Sequence, residues 1–208
     1  MSQPMQPSAS RTKLLLGCPR PFEVDAEPDL PGEPARYGSA FHQVMAACLG
    51  AKTSKGPLEK TDRYAKEIDK AVKAYDVRAA AGELAGHVKS SLGVLRNWLE
   101  REKLEILALE RAYAVTLAAS GAYSRRAIEP HDEDHCYDVT SDEVPGTVDL
   151  IACNGGDREV VIDYKTGSAP ANDILFATPT KIPQMRTLGL VATRRGVEVG
   201  IFHADRRG

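Results

Sequence analysis

Asp149, Asp163 and Lys165 stand where ordinary folding does not ask for charge. They fall in the stretch from Pro145 to Gly167, in which 148–153 and 160–165 are short runs rich in β-branched residues, separated by Asn154-Gly155-Gly156-Asp157. Two such runs around a polar, Gly-containing turn predict strands joined by a tight hairpin. Asp149 interrupts the first run, and Asp163 and Lys165 interrupt the end of the second. Residues two apart on a strand share a face, so Asp163 and Lys165 point the same way. An acid and a base side by side at the end of a buried strand must be paired or must hold a metal. A purely structural cluster of three such charges is costly to bury, which favours chemistry.

Other candidates are weaker taken alone. Phe41, Val44, Met45 and Leu49 form one helical stripe, in a helix that starts near Ser39 and stops at Gly50, and His42 lies beside that stripe. From Glu105 to Leu117 the period switches: Leu107, Leu109, Tyr113, Val115 and Leu117 alternate to one face of a strand. Glu110 lies on the other face between Ala108 and Ala112. By themselves, a helical His reads as solvated or satisfied, and Glu110 as solvent-facing. His131-Asp-Glu-Asp-His135-Cys136 has zinc-ligand residue types but no second Cys/His pair nearby, so it reads as a solvated acidic loop.

The elements that must position these residues fit one domain with a helical insertion, given 208 residues. Met1 to Ser10 reads as a disordered lead-in and 11–208 as a single domain, with a helical insert at about 58–104. A short helix is expected at Lys13 to Pro19, and an irregular connection at Pro21 to Pro34. In the insert, Ile68, Val72 and Tyr75 form one stripe and Leu84, Val88, Leu92, Leu95 and Leu99 another, with a break near Gly82 and Trp98 as a core anchor. No chemistry shows in that insert. Ser120 to Ser141 reads as a long polar connection and Ser168 to Thr180 as a loop. A helix then runs from Pro183 through Gln184 to about Thr193, burying Met185, Leu188, Val191 and Ala192, before a final strand with Val197, Val199, Ile201 and His203. A net charge of -2 gives no global basic signature, so nucleic-acid binding must rest on a local patch. No apolar run is long enough to span a bilayer and no secretory layout opens the chain, which suggests a cytoplasmic protein with no membrane partner. Cys18, Cys48, Cys136 and Cys153 are scattered and read as reduced thiols.

In order along the chain stand Gly38-Ser39-Ala40-Phe41-His42, the strand with Glu110, Gly146-Thr147-Val148-Asp149, Val161-Ile162-Asp163-Tyr164-Lys165-Thr166-Gly167, and Pro183-Gln184-Met185-Arg186. This order resembles the PD-(D/E)xK nuclease superfamily, and more narrowly its RecB-type branch. The resemblance spans about Cys18 to His203. It implies an α/β fold, with a restriction-endonuclease-like core whose central mixed β-sheet is flanked by helices. A family aromatic residue four positions after the Gln is replaced here by Leu188. Iron–sulfur members carry a Cys near the N-terminus and three after the Gln helix. Cys18 matches the first, but no Cys follows Cys153, so no iron–sulfur cluster is expected.

The resemblance implies hydrolysis of DNA phosphodiesters with Mg²⁺ or Mn²⁺. Asp149, Asp163, His42 and the Tyr164 backbone carbonyl would be metal ligands, and Glu110 would hold a metal-bound water or a second metal. Such ions prefer hard oxygen donors, and an imidazole shifts preference toward Mn²⁺. Asp149, Asp163 and Lys165 would be the catalytic set, with Lys165 positioning or deprotonating the attacking water. Gln184, Thr166 and Arg186 would contact substrate. The expected activity is an exonuclease on DNA ends, in repair, recombination or mobile-element and phage DNA processing. With no GxxxxGK[ST] motor motif, a helicase, recombination or integrase partner stays open. The alternative is a catalytically silent DNA-binding or assembly module of the same fold.

Overall fold

The strands β1 (Glu105–Leu117), β2 (Tyr123–Ile128), β3 (Glu143–Cys153), β4 (Glu159–Lys165) and β5 (Val197–His203) form one five-stranded sheet, ordered β2-β1-β3-β4-β5. β1 pairs antiparallel with β2 and β3, β3 pairs antiparallel with β4, and β5 runs parallel to β4. The sheet is therefore mixed, as expected. These elements come from a computed structural model that describes residues 31–51, 57–117, 123–129, 137–140, 142–156, 158–166 and 197–203. The expected lead-in at 1–10, helix at 13–19, loop at 168–180 and helix at 183–193 lie outside the described residues, as do Cys18, the 131–136 cluster and Leu188.

Helices α1 (Glu33–Gly50), α2 (Arg63–Tyr75) and α3 (Ala81–Arg101), with 3-10 turns at Leu58–Lys60 and Arg78–Ala80, join the sheet in one core. Phe41, Val44 and Met45 of α1 meet Leu84, Val88, Leu92 and Leu95 of α3 within that core, beside Leu150, Ile162 and Tyr164 of the sheet. Burying a side chain of this size contributes about 1.5–3 kcal/mol, so the stripes seen in the sequence hold α1 against the hairpin. No helix among the described residues is long and apolar enough to cross a membrane.

Several local expectations shift. α1 starts at Glu33 instead of near Ser39, with Pro34 in its first turn, where its missing N–H costs nothing. The irregular connection therefore ends at Gly32, and its residues before 31 lie outside the described residues. The helical stretch breaks at Asp76, whose left-handed backbone (φ 50°) ends α2, and not at Gly82, which lies inside α3. Trp98 is half-buried and packs on the core from outside it. A strand, β2, occupies part of the expected polar connection at 120–141. As an edge strand it tolerates a polar sequence, because its backbone pairing to β1 does not depend on an apolar face. The face expected for β1 holds only in part: Leu109 packs on the core and Val115 is buried, but Leu107 is 56% exposed, because a β-bulge between Ile106 and Ala108 resets the alternation.

Candidate active site

The site forms where β3 and β4 part. Their ladder runs from Cys153↔Glu159 to Leu150↔Ile162. One residue beyond lie Asp149 and Asp163, and there the Asp149 carboxylate takes the place of a backbone acceptor. The Tyr164 N–H donates to Asp149 Oδ2 at 2.5 Å. On the other side of β3, Leu109 faces Leu150 and Arg111 faces Val148, so Glu110 lies across from Asp149. Glu110, Asp149 and Asp163 therefore share one cross-strand row on three adjacent strands. Like charges placed opposite one another destabilise a sheet. This row was not built for stability.

Glu110 reaches the row by a distortion. Leu109 packs on the core, so plain alternation would send Glu110 to the opposite face. Instead Glu110 has φ of 46°, a left-handed conformation that costs a non-Gly residue about 1–3 kcal/mol. With the bulge just upstream, its carboxylate lies 3.9 Å from His42 Nδ1. His42 projects from α1 with Nδ1 3.3 Å from Asp149 Oδ1, and its ring stands edge-on to Tyr164, centroids 5.5 Å apart. One turn earlier on α1, a Cβ at Gly38 would approach the Thr166 hydroxyl oxygen to 3.3 Å. Glycine there lets the chain leaving β4 pass close to the helix. Lys165 Nζ meets Asp163 Oδ2 at 2.6 Å, as their shared face requires.

The electrostatics follow from crowding. Burial, reinforced by the charge of Asp149, pushes Glu110 up to about 7, with His42 opposing. Burial also raises Asp163 and Asp149 adds to it, while the Lys165 ammonium pulls the other way. Burial lowers His42, but the hydrogen bond to Asp149 and the charges of Asp149 and Glu110 outweigh it, so the imidazole ends above its ordinary value. The cluster holds more negative charge than its own cations satisfy. The buried Glu110 Oε1 has no hydrogen-bond partner.

A divalent cation fits that deficit. Ligand atoms of His42, Glu110 and Asp149 all lie within 4.8 Å of one another, a hard oxygen set with one imidazole. The grouping differs from the sequence reading, which gave Glu110 a metal-bound water or a second metal and made Asp163 a direct ligand. Here Glu110 stands directly beside His42 and Asp149, while Asp163 lies one strand over against Lys165. A cavity of about 520 Å³ between β1 and β2 opens beside Glu110 and is also lined by Arg111, an exposed residue that no ion pair holds among the described residues. Sequence reading missed Arg111, because a lone surface Arg carries no pattern. Gln184 and Arg186 lie outside the described residues.

The family model described as PD-(D/E)XK nuclease superfamily matches residues 6–202. No curated protein matches the chain.

Proposed function

The chain belongs to the PD-(D/E)XK nuclease superfamily, and on that premise we propose that it is a metal-dependent deoxyribonuclease of the RecB type that acts on DNA ends. The observation that carries this reading is the row Glu110–Asp149–Asp163, flanked by His42 and Lys165. His42, Glu110 and Asp149 would hold Mg²⁺ or Mn²⁺, with Asp163 beside them. When bound, the ion supplies Lewis-acid charge to the scissile phosphate and makes a water acidic enough to attack it.

The chain's own residues do the rest. The hydrogen bond from the Tyr164 N–H fixes the Asp149 carboxylate in one orientation. Within a strand, N–H and C=O of one residue face the same neighbour, so the Tyr164 carbonyl adds an oxygen on the Asp149 side. Asp163 holds Lys165 through the 2.6 Å contact, and the ammonium positions the attacking water and offsets charge developing on the phosphate. Thr166, next along the chain, would contact the DNA backbone, a role the family resemblance also gives to Gln184 and Arg186. Arg111, at the wall of the β1–β2 cavity, takes a neighbouring phosphate in a fork suited to its guanidinium. Contacts of this kind read the backbone and not the bases, so cleavage is not sequence-specific. Work on DNA ends suits repair, recombination or mobile-element processing in the cytoplasm, beside a helicase or recombination partner.

The test is cleavage of end-labelled single- and double-stranded DNA with Mn²⁺ or Mg²⁺, by the wild type and by Asp163→Ala and Lys165→Ala. Loss of metal-dependent release of short products from the ends in both variants is expected. Cleavage unchanged in both would overturn the assignment. DNA binding by the wild type without cleavage under either ion would favour a silent binding module.

A further inference from the structure

Resting on the metal-site reading above, we infer that α3 is a clamp that sets the rotation of α1, making Tyr37, His87 and Arg96 positioning residues for His42. α1 is poorly secured by its own ends. It has no side-chain N-cap bond and no basic residue in its last turn. Two polar contacts tie it to α3 instead, one near each end. Near the start of α1, Tyr37 Oη and His87 Nδ1 share a buried hydrogen bond of 3.0 Å. At its end, Arg96 Nη2 donates to the Cys48 carbonyl at 3.0 Å, and Arg96 Nη1 pairs with Glu59. A guanidinium at that position also complements the negative end of the helix dipole.

The two anchors bracket His42 on α1. Residues 37 and 48 are separated by roughly 16 Å along a helix, and 87 and 96 by about 14 Å, so two nearly parallel helices meet both anchors at once. The anchored positions lie on the same buried stripe as Phe41, Val44 and Met45. His42 sits about 100° around the axis from Phe41, so its aim is set by the rotation of the whole helix. A turn of about 20° would move an atom ~7 Å from the axis by ~2.5 Å, enough to break the 3.3 Å approach to Asp149. Apolar packing of Val, Leu and Met tolerates small slides, whereas a buried hydrogen bond has one geometry.

Ring contacts carry the same constraint to the site. His87 stacks on Tyr37 (5.9 Å, 18°) and tilts against Phe41 at 4.6 Å. Phe41 meets Tyr164 edge-on at 6.5 Å, and the Tyr164 N–H holds Asp149. The helical segment thus has a part in the chemistry that its sequence did not show.

The test is Mn²⁺ affinity by calorimetry and the visible spectrum of Co²⁺-loaded protein, using the full chain well below its melting temperature. Tyr37→Phe keeps the ring and Arg96→Met keeps the apolar stem, and each should weaken Mn²⁺ binding about 3–10-fold, less than loss of a direct ligand partner. Each should also alter the Co²⁺ band. Val72→Ala, in the core on α2, should lower the melting temperature while leaving both readouts unchanged. The inference is overturned if a protein carrying both Tyr37→Phe and Arg96→Met binds Mn²⁺ as the wild type does while His42→Ala does not. It is also overturned if Val72→Ala shifts affinity as much as the anchors, since the cause is then general loosening. A wild type that binds no Mn²⁺, or His42→Ala binding it normally, overturns the metal reading itself and the clamp with it.

Discussion

Two acid–base pairs on one sheet meet opposite fates. At the rim, Glu143 accepts two bonds from Arg126, both 2.7 Å, and one from the Thr140 N–H at 2.9 Å. Those bonds, the Arg126 pair first, hold its carboxyl down at about 2. At the fork, Asp163 also has a cation, Lys165, at 2.6 Å, yet its carboxyl is raised by burial and by Asp149. A partner of the same kind wins at the rim and loses at the fork. The difference is mainly company: Asp163, 5% exposed, shares its row with Asp149 and Glu110, whereas Glu143 adds a backbone N–H donor to its paired Arg126 bonds. The rim pair serves the sheet. The fork pair is held against the interest of the sheet, which is the arrangement expected of a site kept for function.

The largest effect should separate the pairs by activity. Lys165→Met and Asp163→Asn should each lower DNA cleavage by a factor on the order of 10³, in line with removing a transition-state charge partner. Arg126→Met, which also removes a cation from the wall of the β1–β2 cavity, should change it far less, by about severalfold at most. An Arg126→Met loss comparable to that of Lys165→Met, measured by initial rates on end-labelled DNA, would break the comparison. Next in size, His42→Ala should weaken Mn²⁺ binding about 10-fold or more by calorimetry, since it would remove a proposed direct ligand.

A pH effect should follow from Glu110. Its carboxyl, near 7 in the folded chain against an ordinary 4.5, keeps a proton that the unfolded chain has released. In metal-free protein its contribution to stability is therefore present below about 4.5 and is lost as pH rises through 7. Metal binding must expel that proton and the one on His42, whose pKa is also raised, so Mn²⁺ affinity should climb with pH through about 7. Glu110→Gln should flatten the climb in a calorimetric series from pH 5.5 to 8, and an unchanged slope would remove Glu110 from the site.

The smallest effect sharpens the comparison from the side of stability. Without metal, Glu110→Gln should raise the melting temperature by roughly 2 °C, because it removes a buried charge beside Asp149. Arg126→Met should lower it by a similar or smaller amount. Calorimetric scans of both metal-free variants would show it, and a drop for Glu110→Gln would mean that the carboxylate serves the fold after all.

Much of the fold was legible in the chain. The hairpin showed because strand alternation, β-branched residues and an Asn-Gly-Gly turn all point one way, and Gly155 indeed takes a left-handed φ of 75°. The helical stripes showed because their leucines and valines repeat at the period of the helix they build. β2 was not legible, since an edge strand needs only a neighbour's backbone. Nor was the face of Glu110, since a bulge and one left-handed residue leave no mark on residue type. His87 was equally silent, because a single helical His looks the same whether it faces water or a tyrosine.

By itself, then, the sequence singled out the residues proposed for the chemistry along the hairpin: Asp149, Asp163 and Lys165 sit within seventeen positions, where local geometry alone puts the last two side by side. Only the tertiary structure decided who stands with them. Glu110 joins Asp149 through strand register and a distorted backbone, and His42 joins through the rotation of a helix packed on another helix. Those contacts span about forty to a hundred residues of chain, and packing, unlike local propensity, has no short-range signature to read.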